Sequence, residues 1–375
     1  MAYFFQLPLI TDLTEDQQMA LDEINPIAIS GSAGTGKTVV SLWRHIQNID
    51  DFNKSSMLTT YTKTLHAYLL NSALKESREA QKYIWTSFVI YTHAGQWKVD
   101  EIIIDEAQDL TFQHFQDMKK YANHISYGAD FNQKLYSGTV TEDEMERLFP
   151  DNVEYNLQQN FRNSYHILNF TKSVLVNFLI PQNTIDELEY ENIGIKPIMC
   201  IVDNFEKEIG KIIEIINEFR TEKHTIAILL PFQDGRNSNG EIWNFAYAQC
   251  VDKYHKELIN RGIFCSAYYN KMNIDFVEID NVHITTFKSV KGLEFNTVII
   301  PNFNNMNENI KNIRIINEED YYVAFTRARR NLYLFSSSQL NFVNNSICEI
   351  EHLNNSHYNK LYISQMETDE NKIPF

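Results

Sequence analysis

The chain has 375 residues, 43% hydrophobic and 22% charged, with a formal net charge of −16. At about 150 residues per domain that length suggests two domains with ordinary cores. The acidic balance excludes a wholly electrostatic nucleic-acid binder, so any such site must be a local basic groove; it also leaves room for a protein partner.

Four scattered cysteines, Cys200, Cys250, Cys265 and Cys348, form no C-x-x-C pair. Neither a zinc site nor a disulfide framework is indicated. Residues 1–5 lack a basic n-region and a long apolar core, so no signal peptide is expected. No apolar run reaches the length of a membrane span. A reducing cytoplasm and no membrane partner are the expectation.

Leu13-Thr14-Glu15-Asp16-Gln17-Gln18 opens the first apolar-periodic stretch. Thr14 with Gln17 three residues on predicts a capping box for a helix through Glu23. Gln17 also stands just ahead of a glycine-rich loop, where its amide can read adenine as donor and acceptor together. Residues 26–30 are apolar and partly β-branched, a buried strand. Gly31-Ser32-Ala33-Gly34-Thr35-Gly36-Lys37-Thr38 follows, and residues 39–49 read as a helix. Strand, loop and helix give G-x-x-x-x-G-K-[ST] the context of a phosphate-binding loop. Its N–H groups and the helix N-terminus favour phosphate. Lys37 is expected to reach the β- and γ-phosphates of ATP, and Thr38 to hold Mg²⁺.

Residues 56–60 read as the next strand, and Tyr61-Thr62-Lys63-Thr64-Leu65 turns into a helix to about Leu74. An aromatic, hydroxyls and a lysine at a strand's end suit a nucleic-acid strand; an ordinary loop with a half-buried tyrosine suits the residues equally. Residues 101–104 form an apolar strand ending on Asp105-Glu106-Ala107-Gln108-Asp109. Asp105 is the expected Mg²⁺ partner, and Glu106 the group that orients and deprotonates the attacking water. Residues 124–129 are a further strand, ending at Asp130-Phe131-Asn132-Gln133. Gln133 can sense a γ-phosphate there, although Asp-Phe-Asn-Gln is also good turn chemistry.

From Gln159-Asn160-Phe161-Arg162-Asn163-Ser164 the chain enters a helix to about Phe178, and the acidic residues 181–194 read as a surface connection. Strand and helix signals then alternate: 198–202, 205–220, 225–230, 242–261, 265–269, 282–286 and 297–300. This is a second α/β unit with a mainly parallel sheet. Residues 232–240 read as a flexible loop. Arg327, Arg329 and Arg330 form a basic cluster, which a solvated helix end would also explain. The tail beyond about Ser336 carries no recognisable chemistry.

Taken in order, Leu13-Thr14-x-Asp16-Gln17, the phosphate loop, Thr59-Thr60-Tyr61-Thr62-Lys63, Asp105-Glu106-Ala107-Gln108-Asp109, Asp130-x-x-Gln133, Gln159-Asn160-Phe161-Arg162, Lys291-Gly292-Leu293-Glu294-Phe295 and Val323-Ala324-Phe325-Thr326-Arg327-Ala328 resemble the UvrD/Rep-like superfamily 1 helicases. The resemblance covers about residues 13–335. It implies an α/β fold of two RecA-like P-loop domains, residues 1–155 and 156–340, with a tail at 341–375. ATP would lie in the cleft between them. Phe161 would stack on the base, Glu294 beside Gly292 would lie near the ribose, and Arg162 and Arg327 would be arginine fingers from the second domain. Tyr61, Thr62, Lys63 and Lys288 would line a track for single-stranded DNA, with movement 3′ to 5′; RNA is not distinguished by these residues.

Two departures bear on activity. Both inserted subdomains of the full-length family are reduced or missing. The Trp-Arg pair that usually follows the motif at Gln133 is absent; Lys134-Leu135-Tyr136-Ser137-Gly138 keeps the tyrosine. Weak single-strand binding and feeble unwinding by the chain alone are therefore expected. The alternative is an ATP-driven switch subunit of a DNA-repair or anti-phage defence complex, docking a nuclease or effector. A kinase-like P-loop enzyme is a third reading, and the two finger arginines argue against it.

Overall fold

A computed structural model describes residues 7–353 apart from 90–97, 135, 137, 179, 181, 222, 237, 238, 269–278 and 313–315. The readings of residues 1–5, Leu135, Ser137, Pro181, Tyr269 and the tail beyond residue 353 lie outside the described residues.

Parallel pairing needs long crossovers, and helices between short apolar strands supply them while covering the sheet's faces. Six strands pair this way in the first lobe: β1 (Ile27–Ser30), β2 (Ser56–Thr60), β3 (Ile84–Thr86), β4 (Val99–Asp105), β5 (Ala122–Gly128) and β6 (Val153–Asn156). Their order is β3-β2-β4-β5-β1-β6, and every pairing is parallel. Helix α1 (Glu15–Asp22) packs on α2 (Lys37–Asp50), which lies across β2, β4 and β5; α3 (Lys63–Glu76) lies across β2 and β3. Ile102, Ile103 and Ile104 are buried on both faces of β4.

The second lobe holds β7 (Ile198–Ile201), β8 (Ile226–Leu230), β9 (Ser266–Tyr268), β10 (Val282–Thr286), β11 (Phe295–Ile300), β12 (Ala328–Ser336) and β13 (Glu349–His352). They pair in parallel in the order β13-β7-β12-β11-β8-β10-β9. One apolar cluster runs from Leu42 and Leu65 of the first lobe to Phe287 and Leu293 of the second. The approach is close: a Cβ on Gly292 would stand 2.7 Å from Leu65 Cδ1. No helix of the described residues is long and apolar enough to cross a membrane.

Several sequence expectations need correction. Residues 181–194 are not merely a connection, since Gln182–Glu191 is helical with Ile185 and Leu188 buried one turn apart and its acidic residues outward. The stretch 242–261 is two helices, Asn244–Tyr247 and Val251–Asn260, broken where Cys250 bridges to Phe232. The helix expected from residue 159 begins at Tyr165 and ends at Val174. β13 comes from the segment read as tail. Arg327 is no solvated helix end: it sits 1% exposed between a helix ending at Phe325 and β12.

Candidate nucleotide site and nucleic-acid groove

Carboxyl ends of parallel strands are where this kind of sheet binds ligands. The loop after β1, the acidic pair at the end of β4 and the turn after β5 all gather there. The capping box forms as the spacing requires: Gln17 N–H donates to Thr14 Oγ1, and Thr14 N–H to Gln17 Oε1 at 3.1 Å. Gln17 Nε2 also donates to Thr35 O at 3.0 Å, so α1 is tied to the phosphate loop. Each amide end keeps a second hydrogen-bonding position for a base.

Within the loop, Gly34 has φ +81°, a conformation that side chains avoid, and a Cβ there would lie 2.5 Å from Arg162 Cβ. Lys37 Nζ donates to Gly31 O at 2.7 Å and Ser32 O at 2.8 Å. Burial pushes its pKa down, against the pull of Asp130, Glu106 and Asp105.

Burial raises Asp105 to about 7, with the Glu106 charge adding to it and the Thr38 hydroxyl bond opposing it. Its Oδ2 is buried without a hydrogen-bond partner in the structure. One orphaned carboxylate oxygen beside one hydroxyl fits Mg²⁺, which takes few protein ligands and completes its shell with phosphate and water. Among the described residues no group of three His, Cys, Asp or Glu could hold a metal ion by itself.

Glu106 adopts φ +59°, a left-handed conformation that costs a non-glycine residue about 1–3 kcal/mol and is kept where surroundings enforce it. Gln108 Nε2 donates to its carboxylate at 2.7 Å, and Lys291 Nζ stands 3.2 Å away. Burial alone would raise its pKa; Lys291, then Lys37 and Arg327, outweigh burial and hold it at about 2. It is therefore ionised at neutral pH.

The second lobe supplies the cations. Lys291 is fully buried and donates to Asp109 Oδ2 at 2.7 Å and Gln133 O at 2.8 Å. Arg327 Nη2 donates to Gln133 Oε1 at 2.8 Å, with Nε on Val323 O and Nη1 on Leu293 O. All three acceptors are neutral, and among the described residues no carboxylate pairs with Arg327. Burial and the neighbouring Arg162 lower it to about 9, so it stays charged at neutral pH and ready for an anion. Gln133 Nε2 in turn donates to Asp130 Oδ2 at 2.5 Å.

Arg162 belongs to neither sheet but to the segment joining the lobes. Its Nε donates to Glu294 Oε2 at 2.9 Å, and Arg329 Nη1 lies 3.3 Å from Glu294 Oε1. Burial opposes the charge of Glu294, but Arg329 and Arg162 lower its pKa overall. Asn160 and Asn163 fix this segment. Asn160 Nδ2 donates to Ala33 O at 2.8 Å; Asn163 Nδ2 donates to Thr326 O at 3.1 Å and Ala328 O at 2.7 Å, on either side of Arg327. Gln17, Lys37, Thr38, Glu106, Gln133, Phe161, Arg162, Gly292, Glu294 and Arg327 line one cavity of about 390 Å³ between the lobes. Phe161, 41% exposed, offers it a ring face.

A second, larger groove of about 910 Å³ also spans both lobes. Tyr61, Thr62, Lys63 and Lys288 all line it. Thr62 additionally caps α3 through Leu65 N–H, so its hydroxyl has a structural use. The Tyr61 ring lies 4.9 Å from Tyr136 and 5.3 Å from Phe88. Lys288 Nζ stands 5.9 Å over Tyr136 and 3.9 Å from Asp320 Oδ2.

The model for the UvrD-like helicase C-terminal domain matches residues 256–339, and that for the Schlafen group 3 DNA/RNA helicase domain matches residues 25–192. A protein described as a candidate ATP-dependent DNA helicase, from Acanthamoeba polyphaga mimivirus, is 26% identical over 281 residues, 71% of this chain. In both lobes the chain is similar to helicases, and these matches support a superfamily 1 helicase. The chain spans 37% of the length of that viral relative. Among solved structures, Saccharomyces cerevisiae Dbp5 bound to RNA and ADP BeF3 is similar with a TM-score of 0.53 and 10% identity, covering 90% of each chain. Arterivirus nonstructural protein 10, a helicase, gives a TM-score of 0.42 at 13% identity over 88% of this chain and 64% of its own. The Dbp5 likeness bears on fold alone: two lobes with mainly parallel sheets, as in RecA-like helicase domains.

The sequence motifs name most of the cavity but not how it is held. Lys291 stood inside a quoted motif without a role, and so did Asn160 and Asn163. Phe88 and Trp243, which line the groove, were not singled out at all; two large aromatics exposed beside loop residues were the available signal.

Proposed function

We propose that the chain is an ATP-driven motor that moves along a single strand of DNA, 3′ to 5′. The observation that carries this reading is the segment from Gln133 to Tyr136. Gln133 bonds Arg327 in the nucleotide cavity, and three residues later the Tyr136 ring packs at a tilt against Tyr61 in the groove. Residues three apart in sequence thus touch both sites.

Each residue's part in hydrolysis follows from its place. Lys37 and the loop N–H groups bind the β- and γ-phosphates; Gln17 and Phe161 hold the base; Glu294 faces the sugar. Thr38 and Asp105 would hold Mg²⁺, which supplies positive charge at the phosphate oxygens. Glu106, ionised and pinned by Gln108 and Lys291, orients the attacking water and takes its proton. Arg327 and Arg162 meet charge as it develops on the transferring phosphoryl group, which makes turnover depend on the lobes staying together. Weak, salt-sensitive binding is part of the proposal, because few cations line the groove of a chain carrying −16.

That same charge favours a second reading, in which the chain is the ATP-driven switch of a repair or defence complex and its acidic surface docks a nuclease or effector. ATPase rates with no nucleic acid, single-stranded DNA, double-stranded DNA and RNA separate the two. Stimulation by single strands supports the motor; rates indifferent to every nucleic acid, with one co-purifying protein, support the switch.

A further inference from the structure

The strand signal of β8 ends at Leu230, and the next helical turn starts only at Asn244. Within the intervening stretch, residues 232–240 read as a flexible loop from sequence. Its described residues are instead tied down. Trp243 N–H donates to Gly235 O at 2.9 Å, Arg236 pairs with Ile242 in an antiparallel bridge, and Arg236 Nη1 donates to Gly240 O at 2.7 Å. At Gly235, φ +66°, a Cβ would fall 2.3 Å from Tyr247 Cα, so the loop is seated directly on the helix behind it. These contacts seat the described residues of the stretch on the second lobe, with Trp243 at their end.

Trp243 lines the groove and is 40% exposed. Phe232 and Phe245 brace its ring at centroid distances of 6.0 and 5.6 Å. Across the groove the first lobe presents Phe88, 55% exposed, with Tyr61 and Tyr136 behind it. Lys63 and Lys288 lie along the same walls. Exposed, braced aromatic rings interleaved with cations are the chemistry that holds a single strand: rings take the bases, cations the phosphates. A water-exposed indole held by two phenyl rings keeps little rotational freedom to lose when a base stacks on it.

We propose that Trp243 is a base-stacking residue of the second lobe, gripping a nucleobase of a single strand whose neighbouring bases meet Phe88 and Tyr136 on the first lobe. The stacking platform absent after Gln133 is thereby supplied from the opposite wall. A ring on each lobe also means that a change in lobe separation moves two grips relative to each other. The inference rests on the reading that the groove holds a single strand.

The test is oligonucleotide binding by the full chain, followed by anisotropy of labelled oligo(dT) and oligo(U) across a salt series. W243A is expected to weaken binding roughly 5- to 150-fold on both with the salt slope unchanged, because no phosphate contact is lost. W243F should restore most of the affinity. K288A should instead lower the slope by about one. In the native chain, saturating oligonucleotide should quench the emission that W243F removes, a readout independent of whether W243A folds well. Native affinity in W243A together with unquenched Trp243 emission overturns the proposal while K288A still weakens binding. Should neither variant weaken binding, the groove reading falls and this inference with it.

Discussion

Lys291 Nζ meets Asp109 Oδ2 at 2.7 Å across the two lobes, and neither side chain has any solvent exposure. The same ammonium faces Glu106 at 3.2 Å. A buried pair of this kind is costly to break from one side, about 3–5 kcal/mol, because the surviving buried charge loses its counter-ion. Lys291→Met should therefore loosen the lobes, and urea unfolding should show a lower midpoint. Removing the strongest charge acting on Glu106 also raises that carboxyl, so the acidic limb of the turnover–pH profile should move upward. Lys291→Met with native midpoint and native profile would dismiss the latch.

Lys37 and Glu106 share one cavity, and the proposed function has them act at different stages. Lys37→Ala removes charge from both bound and transferring phosphates, so nucleotide affinity and turnover should fall together. Glu106→Gln keeps the shape and the Gln108 bond and loses the proton acceptor. It should bind ATP and fail to turn it over, holding the lobes together around it. Binding of a fluorescent ATP analogue beside single-turnover hydrolysis separates the two effects; normal turnover by Glu106→Gln removes it as the base.

Arg327 and Arg162 are not equivalent in their surroundings. Arg327 touches only neutral acceptors, whereas Arg162 is already paired with Glu294. An arginine finger is worth about 10³-fold or more in turnover. Arg327→Ala should show that full loss with ATP binding largely kept. Arg162→Ala should also lose turnover while releasing Glu294, and Glu294→Gln in that background should recover part of the binding. Equal losses in binding and turnover for Arg327→Ala would mean that it merely holds the interface.

How far the sequence carried this site depends on how local each part is. The phosphate loop, Asp105-Glu106 and the Thr14–Gln17 capping box each lie within a few residues, where spacing fixes geometry. Lys291 meets Asp109 from 182 residues away and Arg327 meets Gln133 from 194; periodicity carries no such information, and only the resemblance brought Arg327 near the nucleotide. The helix at Gln182–Glu191 was hidden by a preceding proline and an acidic face, although Ile185 and Leu188 carried its apolar stripe. β13 is only four residues long and half exposed, so its pattern was too short to stand out among asparagines and serines.

Glu208 gives a pH signature away from the nucleotide. It is buried, accepts a short hydrogen bond from the Tyr254 hydroxyl, and burial raises it to about 7. Unfolded, it titrates near the ordinary glutamate value. Between the two the folded chain binds more protons than the unfolded one, so its contribution declines as pH rises through roughly 4.5 to 7, by about 3 kcal/mol in all. The buried His45 and His283 and the half-buried His224 have lowered values and act oppositely, gaining stability as pH rises. The difference between native chain and Glu208→Gln isolates the carboxyl: the variant should gain on the native chain between pH 5 and pH 8. Parallel urea midpoints over that range would count against a buried, protonated Glu208.

Coupling of the two sites is the remaining step, and on the proposed reading it runs through the stretch from Gln133 to Tyr136. Gln133 is engaged on every side: its side-chain oxygen takes Arg327, its backbone oxygen takes Lys291, and its amide holds Asp130. Any shift of Arg327 towards a phosphate must pull on that amide. Tyr136 would carry the displacement into the groove, because its ring packs on Tyr61 at 4.9 Å and lies under Lys288. Tyr136→Ala should therefore lower the ratio of ATPase rates with and without single-stranded DNA towards one. Gln133→Ala should weaken the same coupling from the other end and reduce turnover as well, having lost the acceptor that aims Arg327. Steady-state ATPase titrated with oligonucleotide measures both. Undiminished stimulation in both variants would show that the signal between the sites takes another route.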